Sequence, residues 1–276
     1  MTMDIKEEQA ACFRTPEALS PLQGGFRVFR NSCFECLHGR RGVMLTLLAM
    51  LPILLMLGAL LFGVEKGGGS RFFILTLVTF YHYINMIFFI FLGCSALGES
   101  LEDKTITYEL ICPVPRYAIF AGRIASYWVS FMMILAPVLC AAYFVCMVRF
   151  GSEALARNLP SLLAVLLMTG AAALIYGSVF MVLSLLIKRA VYVAIILAVV
   201  VDGFLAYLPL RMAALSPQLH LRNLMSRIAG EDLFRQMIPG MEPMELAPGL
   251  SVFVLLLVWA FFTGLGGKLF SRKQLL

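Results

Sequence analysis

The chain has 276 residues, 61% of them hydrophobic and only 14% charged, and its mean hydropathy is +0.90. A soluble domain carries about 25% charged residues. Too little polar surface is present to cover a 30.6 kDa globule, which excludes a soluble enzyme, a disordered chain and a coiled coil and leaves a membrane protein. The 22 Lys and Arg against 16 Asp and Glu give a net charge of +6. The basic residues sit at the ends of apolar runs, where lipid headgroups and topology account for them better than a nucleic-acid partner does.

The first forty residues are polar, and the first apolar run is too long for a signal peptide, so no cleaved leader is expected. Residues 1–42 read as a cytoplasmic N-terminal segment. Within it, Phe26, Phe29, Cys33 and Leu37 recur at helical spacing among Arg27, Arg30, Glu35 and Arg40. That pattern predicts an amphipathic helix over 24–41, lying along the inner membrane surface.

Residues 43–276 form the membrane domain. Crossing the ~30 Å hydrocarbon layer takes about 20 apolar residues in a helix. Six runs qualify, at about 43–64, 72–97, 119–148, 159–187, 190–210 and 249–270. They are continuous and lack the ten-residue alternation of barrel strands, so an all-α fold with six transmembrane helices is expected. The third run is longer than a perpendicular helix needs, which predicts tilt or a kink at Pro137. With both termini cytoplasmic, 14 Lys and Arg lie inside and 8 outside, four of those eight in the long segment 211–248. Both termini inside is therefore the expected orientation. In the outer segment, Leu221, Leu224, Met225 and Ile228 suggest a short helix lying on or dipping into the bilayer. No internal repeat of the kind many secondary transporters carry is visible.

The connection between the second and third runs is the most informative. It carries Glu99, Glu102, Asp103, Thr105, Tyr108, Glu109 and Leu110, then Cys112-Pro113-Val114-Pro115-Arg116, and later Gly122-Arg123. Leu101, Thr105 and Tyr108 share one helical face with charge around it, and the two prolines stop the helix and stiffen the corner. A short charged helix with an apolar ridge suits docking into a groove on a partner protein.

Glu102, Thr105, Tyr108, Leu110, Pro113, Val114, Arg116, Gly122 and Arg123 resemble the corresponding loop of the type-2 ABC exporter permease family. There an acidic residue, Thr, Leu, Pro and Arg follow in that order and the loop ends in Gly-Lys. Arg123 stands in place of that Lys, and Lys104 in place of a usual Gly. The layout is similar too: a helix before the first span, six spans, a very short inner turn at Lys188-Arg189 and a long outer segment before the last span. The resemblance implies that this loop is the coupling helix, with Glu102, Asp103, Thr105, Tyr108 and Arg116 passing motion from a separate ATP-binding cassette subunit. It also implies a homodimer, or a heterodimer with a related permease, in the plasma (inner) membrane.

A phosphate-binding loop of the form Gly-x-x-x-x-Gly-Lys-Ser/Thr is missing from the sequence. Gly267-Lys268 is followed by Leu269, so the run from Thr263 to Gly267 reads as close packing in a membrane helix. No enzymatic activity or cofactor is expected in this chain, and ATP and Mg would be bound by the partner subunit. Ionisable or strongly polar groups inside the runs should face protein or water, because lipid burial costs at least ~2.5 kcal/mol. Asp202, His82 and Asn85 meet that description. They either face the dimer centre and line a path or make structural hydrogen bonds to neighbouring helices. Cys33-x-x-Cys36 with His38 has zinc-ligand chemistry but no second Cys pair, and it equally suits one face of the interfacial helix, so no metal site is expected. The methionines near His220 pack apolar surface as readily as they would hold a soft metal. Gly177-Ser178 is read as close packing, not as a nucleophile.

The expected function is the membrane-spanning subunit of an ATP-driven exporter. An anchor or mechanotransmission subunit acting on an outer partner, or an ATP-independent channel or carrier, are the alternatives.

Overall fold

A computed structural model describes residues 20–61, 85–103, 105–107, 114–147, 152–200, 216–229 and 246–272. Among them the chain is helical throughout, without strands. The helices are α1 (Pro21–His38), α2 (Arg40–Leu61), α3 (Asn85–Glu102), α4 (Arg116–Met147), α5 (Ser152–Leu186), α6 (Ala190–Ala198), α7 (Pro217–Ala229) and α8 (Pro248–Arg272). Four segments are long and apolar enough to cross a membrane: Asn85–Glu102, Arg116–Val145, Asn158–Leu186 and Pro248–Arg272. His82, Tyr108 and Asp202, with parts of the expected second and fifth spans, lie outside the described residues.

Contacts fix the helix directions. On α3 and α5, Asn85 meets Thr169 and Cys94 meets the Phe180 carbonyl, so the two helices run parallel. On α4, Trp128 meets Gly170 and Tyr143 meets Leu155, so α4 runs antiparallel to α5. Gly266 of α8 lies beside Val182 of α5 and Phe120 of α4. One end of the bundle therefore gathers α1, the start of α4 and the last turns of α3, α5 and α8. We refer to it as the Arg123 end. The opposite, Ser251 end gathers the start of α5, the start of α8, and α7.

The core is α5. Its sequence from about 159 onward is apolar all round, and α3, α4, α6, α7 and α8 all pack on it, leaving a stripe at Leu159, Leu163 and Leu167 exposed. An aromatic cluster joins three of them. Phe89 stacks on Tyr176 at 5.5 Å and meets Phe131 at 5.2 Å, while Tyr127 and Phe180 extend the cluster. Gly177 faces the Tyr127 ring and Gly266 faces Phe120, each at a distance that no side chain could share. The glycine run in the last helix is thus partly a packing surface, with Gly266 at the contact and Gly264 facing open space. Ser178 is buried and donates to the Ile175 carbonyl at 2.7 Å, which is a packing role. The 32-residue α4 continues through Pro137.

α1 begins where Ser20 caps it, its hydroxyl accepting from the Gln23 amide, with Pro21 in the first turn. Extended backbone at Gly39 ends it. Gly42 comes so close to the Cys36 carbonyl that a Cβ there could not fit, so α2 starts tightly against the end of α1. α1 then packs chiefly along the first half of α4, and the face it offers is not the aromatic one. Gly24, Val28 and Ser32 are buried, while Phe26 and Phe34 are each 63% exposed. Small residues permit the close approach: a Cβ on Gly122 would stand 2.7 Å from the Gly25 carbonyl oxygen. The remaining members of the expected apolar stripe, Phe29, Cys33 and Leu37, are half-buried.

The short helix expected in the outer segment is present as α7. It packs against α5 and α8 and buries His220, Leu221, Arg222, Asn223 and Met225. Asn223 donates to Ser251 Oγ at 2.9 Å and to the Leu246 carbonyl at 3.1 Å, and His220 Nδ1 lies 3.2 Å from the same Ser251 oxygen. Directional polar bonds, not apolar contact alone, hold this helix to the start of α8.

Candidate functional site

The Arg123 end carries a buried cation and an exposed acidic corner. Arg123 stands at the fifth position of the expected third span, between Ile119 and Ile124, and is 4% exposed. A cation so placed needs strong acceptors. Its Nη1 donates to the Ala96 carbonyl and to Ser100 Oγ, both at 2.7 Å. Each is a short, charge-assisted bond, and together they tie the start of α4 to the last two turns of α3. The adjacent Gly122 admits α1. One residue pair thus fixes three helices.

The corner that follows α3 is mounted on this clamp. Glu102 ends α3 and is exposed, as is Asp103, whose amide donates to the Glu99 carbonyl at 2.8 Å. Carboxylates at a helix C-terminus oppose the macrodipole, so helix stability does not account for their position. Thr105 is exposed, and its hydroxyl lies 3.5 Å from the Ser100 carbonyl. Ile106 beside it is 2% exposed and pins the corner into the core. Tyr108 falls outside the described residues. Arg116 Nη1 donates to the Ser271 carbonyl at 3.0 Å, at the C-terminal end of α8. A cation there complements the dipole and bonds one of the last carbonyls. Arg116 thereby joins the start of α4 to the last membrane helix.

Between α1, the start of α2, α3 and α4 lies a cleft of about 240 Å³. Its walls carry Ser32, Glu35 and Cys36 from α1, Glu99 and Ser100 from α3, and Arg123. Ser32 is 3% exposed, and its hydroxyl has no hydrogen-bond partner among the described residues. Burial pushes the Cys36 thiol up to about 11, with the Arg123 guanidinium opposing part of the rise. The neighbouring Cys33 sulfur accepts from Ser130 at 3.4 Å, and His38 stacks on Phe34 with ring centres 4.1 Å apart. These contacts turn the Cys-x-x-Cys residues toward α4 and His38 toward an exposed aromatic face.

Asn85 sits at the far end of described α3, fully buried, and donates to Thr169 Oγ1 of α5 at 3.3 Å. That bond is a helix-to-helix tie within the monomer. His82 and Asp202, expected near it, are outside the described residues. Sequence reasoning missed the wall of the cleft and the polar knot at the Ser251 end. The signal for Arg123 was available, because it lies inside an apolar run and meets the same criterion that singled out Asp202. Glu35, Glu99 and Ser32 carried no such signal, since each reads alone as a surface residue of a polar helix face.

No protein-family model matches the chain, and no curated protein matches it.

Proposed function

We propose that this chain is the membrane-spanning permease subunit of an ATP-driven exporter, with ATP hydrolysis carried out by a separate subunit that docks at the Arg123 end. The observation that carries the reading is the exposed Glu102–Asp103–Thr105 corner, held on one side by the Arg123 clamp and on the other by buried Ile106. A corner so mounted passes a push from outside to α3 and α4 together, where a loose loop would absorb it. The close contact of α1 with Gly122 extends that push to the helix before the first span.

In this reading α2 and α6 belong to the first and fifth of six spans. The exposed aromatic face of α1, with Arg27 and Arg30 beside Phe26, lies on the inner leaflet. Both termini are cytoplasmic, two permease chains enclose the path, and the membrane is the plasma (inner) membrane. Rigid-body displacement of packed helices between two arrangements would drive the cycle.

The test is affinity purification of the tagged chain from its native membrane, wild type beside Glu102→Lys and Asp103→Lys. A nucleotide-binding subunit that accompanies wild type and is lost from the charge-reversed variants supports the reading. Purification of an intact membrane complex with no ATPase sinks it and favours an ATP-independent carrier.

A further inference from the structure

The cleft at the Arg123 end has the chemistry of a ligand site, and we propose that it binds a primary ammonium group. Ser32 is buried in the wall of this cleft. A hydroxyl 3% exposed and without a partner among the described residues is a group a ligand would satisfy, since such a group otherwise costs stability. Ser32 belongs to the wall of a cavity of about 240 Å³, many times the ~30 Å³ a water occupies in the liquid. The charged wall residues are two carboxylates, Glu35 from α1 and Glu99 from α3, and one guanidinium, Arg123. The Arg123 Nη1 is directed at Ala96 and Ser100, toward the α3 backbone.

Two carboxylates and a serine oxygen are three acceptors that two helices contribute to the wall of one cleft, where the carboxylates outnumber the single guanidinium. An ammonium is a compact cation with three N–H donors and no acceptor. Carboxylates in the wall disfavour an anion. A quaternary amine has the charge but no N–H to give. The cleft opens where the charged residues of α1 and α3 begin, at the end of the bundle where headgroups meet a membrane protein. The same chemistry has two sources there, the ethanolamine headgroup of a phospholipid and a free amine. This inference concerns the chain alone and stands or falls apart from the permease reading.

The experiment is native mass spectrometry of the delipidated full-length chain in detergent. It is titrated with phosphatidylethanolamine and phosphatidylcholine of matched acyl chains, and separately with free ethanolamine. The expected result is that phosphatidylethanolamine binds at least about tenfold more tightly than phosphatidylcholine, the cost of lost charge-assisted bonds. Glu35→Gln should lower that affinity about tenfold, and Ser32→Ala severalfold, with melting temperatures near wild type. Displacement of the lipid by free ethanolamine assigns recognition to the ammonium. Binding of free ethanolamine without a phospholipid preference keeps the site and makes a soluble amine its ligand. Equal affinity for the two lipids with no ethanolamine binding overturns the proposal. So does unchanged affinity in both folded variants.

Discussion

Replacing Arg123 by Ala tests whether one buried cation holds α3 to α4. Each of its two bonds from Nη1 is 2.7 Å long, and a hydrogen bond to a charged group contributes about 1.5–3 kcal/mol. One nitrogen makes both, so the lower value applies to each and the pair contributes about 3 kcal/mol. Relief of the buried charge offsets little of this, because the guanidinium lines a polar cleft and is not packed in an apolar core. At roughly 2–4 °C per kcal/mol for a domain of this size class, the melting temperature should fall by roughly 6–12 °C. Tryptophan fluorescence on heating in detergent reads it directly, since Trp128 lies on the same helix and donates to the Gly170 carbonyl at 2.9 Å. Arg123→Lys retains a charged donor and should recover at least half of the loss. An Ala variant melting within about 2 °C of wild type refutes the clamp, and a Lys variant no better than Ala shows that charge is not what matters.

Four further outcomes follow from the packing, the protonation and the backbone of the same molecule. Gly122→Val should separate α1 from α4 and raise protease cleavage near residues 20–39, because its Cβ meets the Gly25 carbonyl at 2.7 Å; unchanged cleavage would mean α1 is not held there. Cys36 should alkylate slowly at pH 7 and about tenfold faster per pH unit up to about 11, where an ordinary thiol levels off near 9. Its raised value also fixes a sign: its contribution to stability is complete below pH 9 and is lost as pH rises toward 11, so Cys36→Ala should flatten that part of the melting curve against pH. Arg189 holds a left-handed backbone (φ 65°) in the turn before α6, so Arg189→Gly should be neutral to about 1 kcal/mol stabilising, and a marked drop in melting temperature would show its side chain to be needed.

Helix positions were readable because lipid demands long apolar runs, and α4, α5 and α8 lie where those runs lie. Their ends were less so: α5 begins at Ser152, with Pro160 in its third turn, although the apolar run starts at 159. The facing of α1 was not readable from periodicity. Apolar spacing singled out Phe26, yet Gly25 and Val28 meet α4, since contact between helices here depends on how closely backbones approach and not on which side chain is most apolar. The acidic corner was found from its charges, whereas the cleft behind it depends on Ser32 and Glu35 meeting Glu99 across more than sixty residues of chain. No local pattern encodes such a meeting.

The separation in sequence of the buried polar ties bears on how the chain is assembled. The acceptors of Arg123 lie 27 and 23 residues earlier, on the helix made just before. An α3–α4 hairpin can therefore leave the insertion machinery with its guanidinium already bonded, and the cation never has to face lipid alone. Among the described residues Asn85 has no such early partner: Thr169 is 84 residues downstream, on a helix not yet synthesised when α3 enters the bilayer. The order of synthesis thus covers the most costly charge first and leaves a neutral amide to wait for α5. Truncation after α4 should accordingly yield a hairpin that inserts stably with its corner formed, while the packing around Asn85 awaits the rest of the chain.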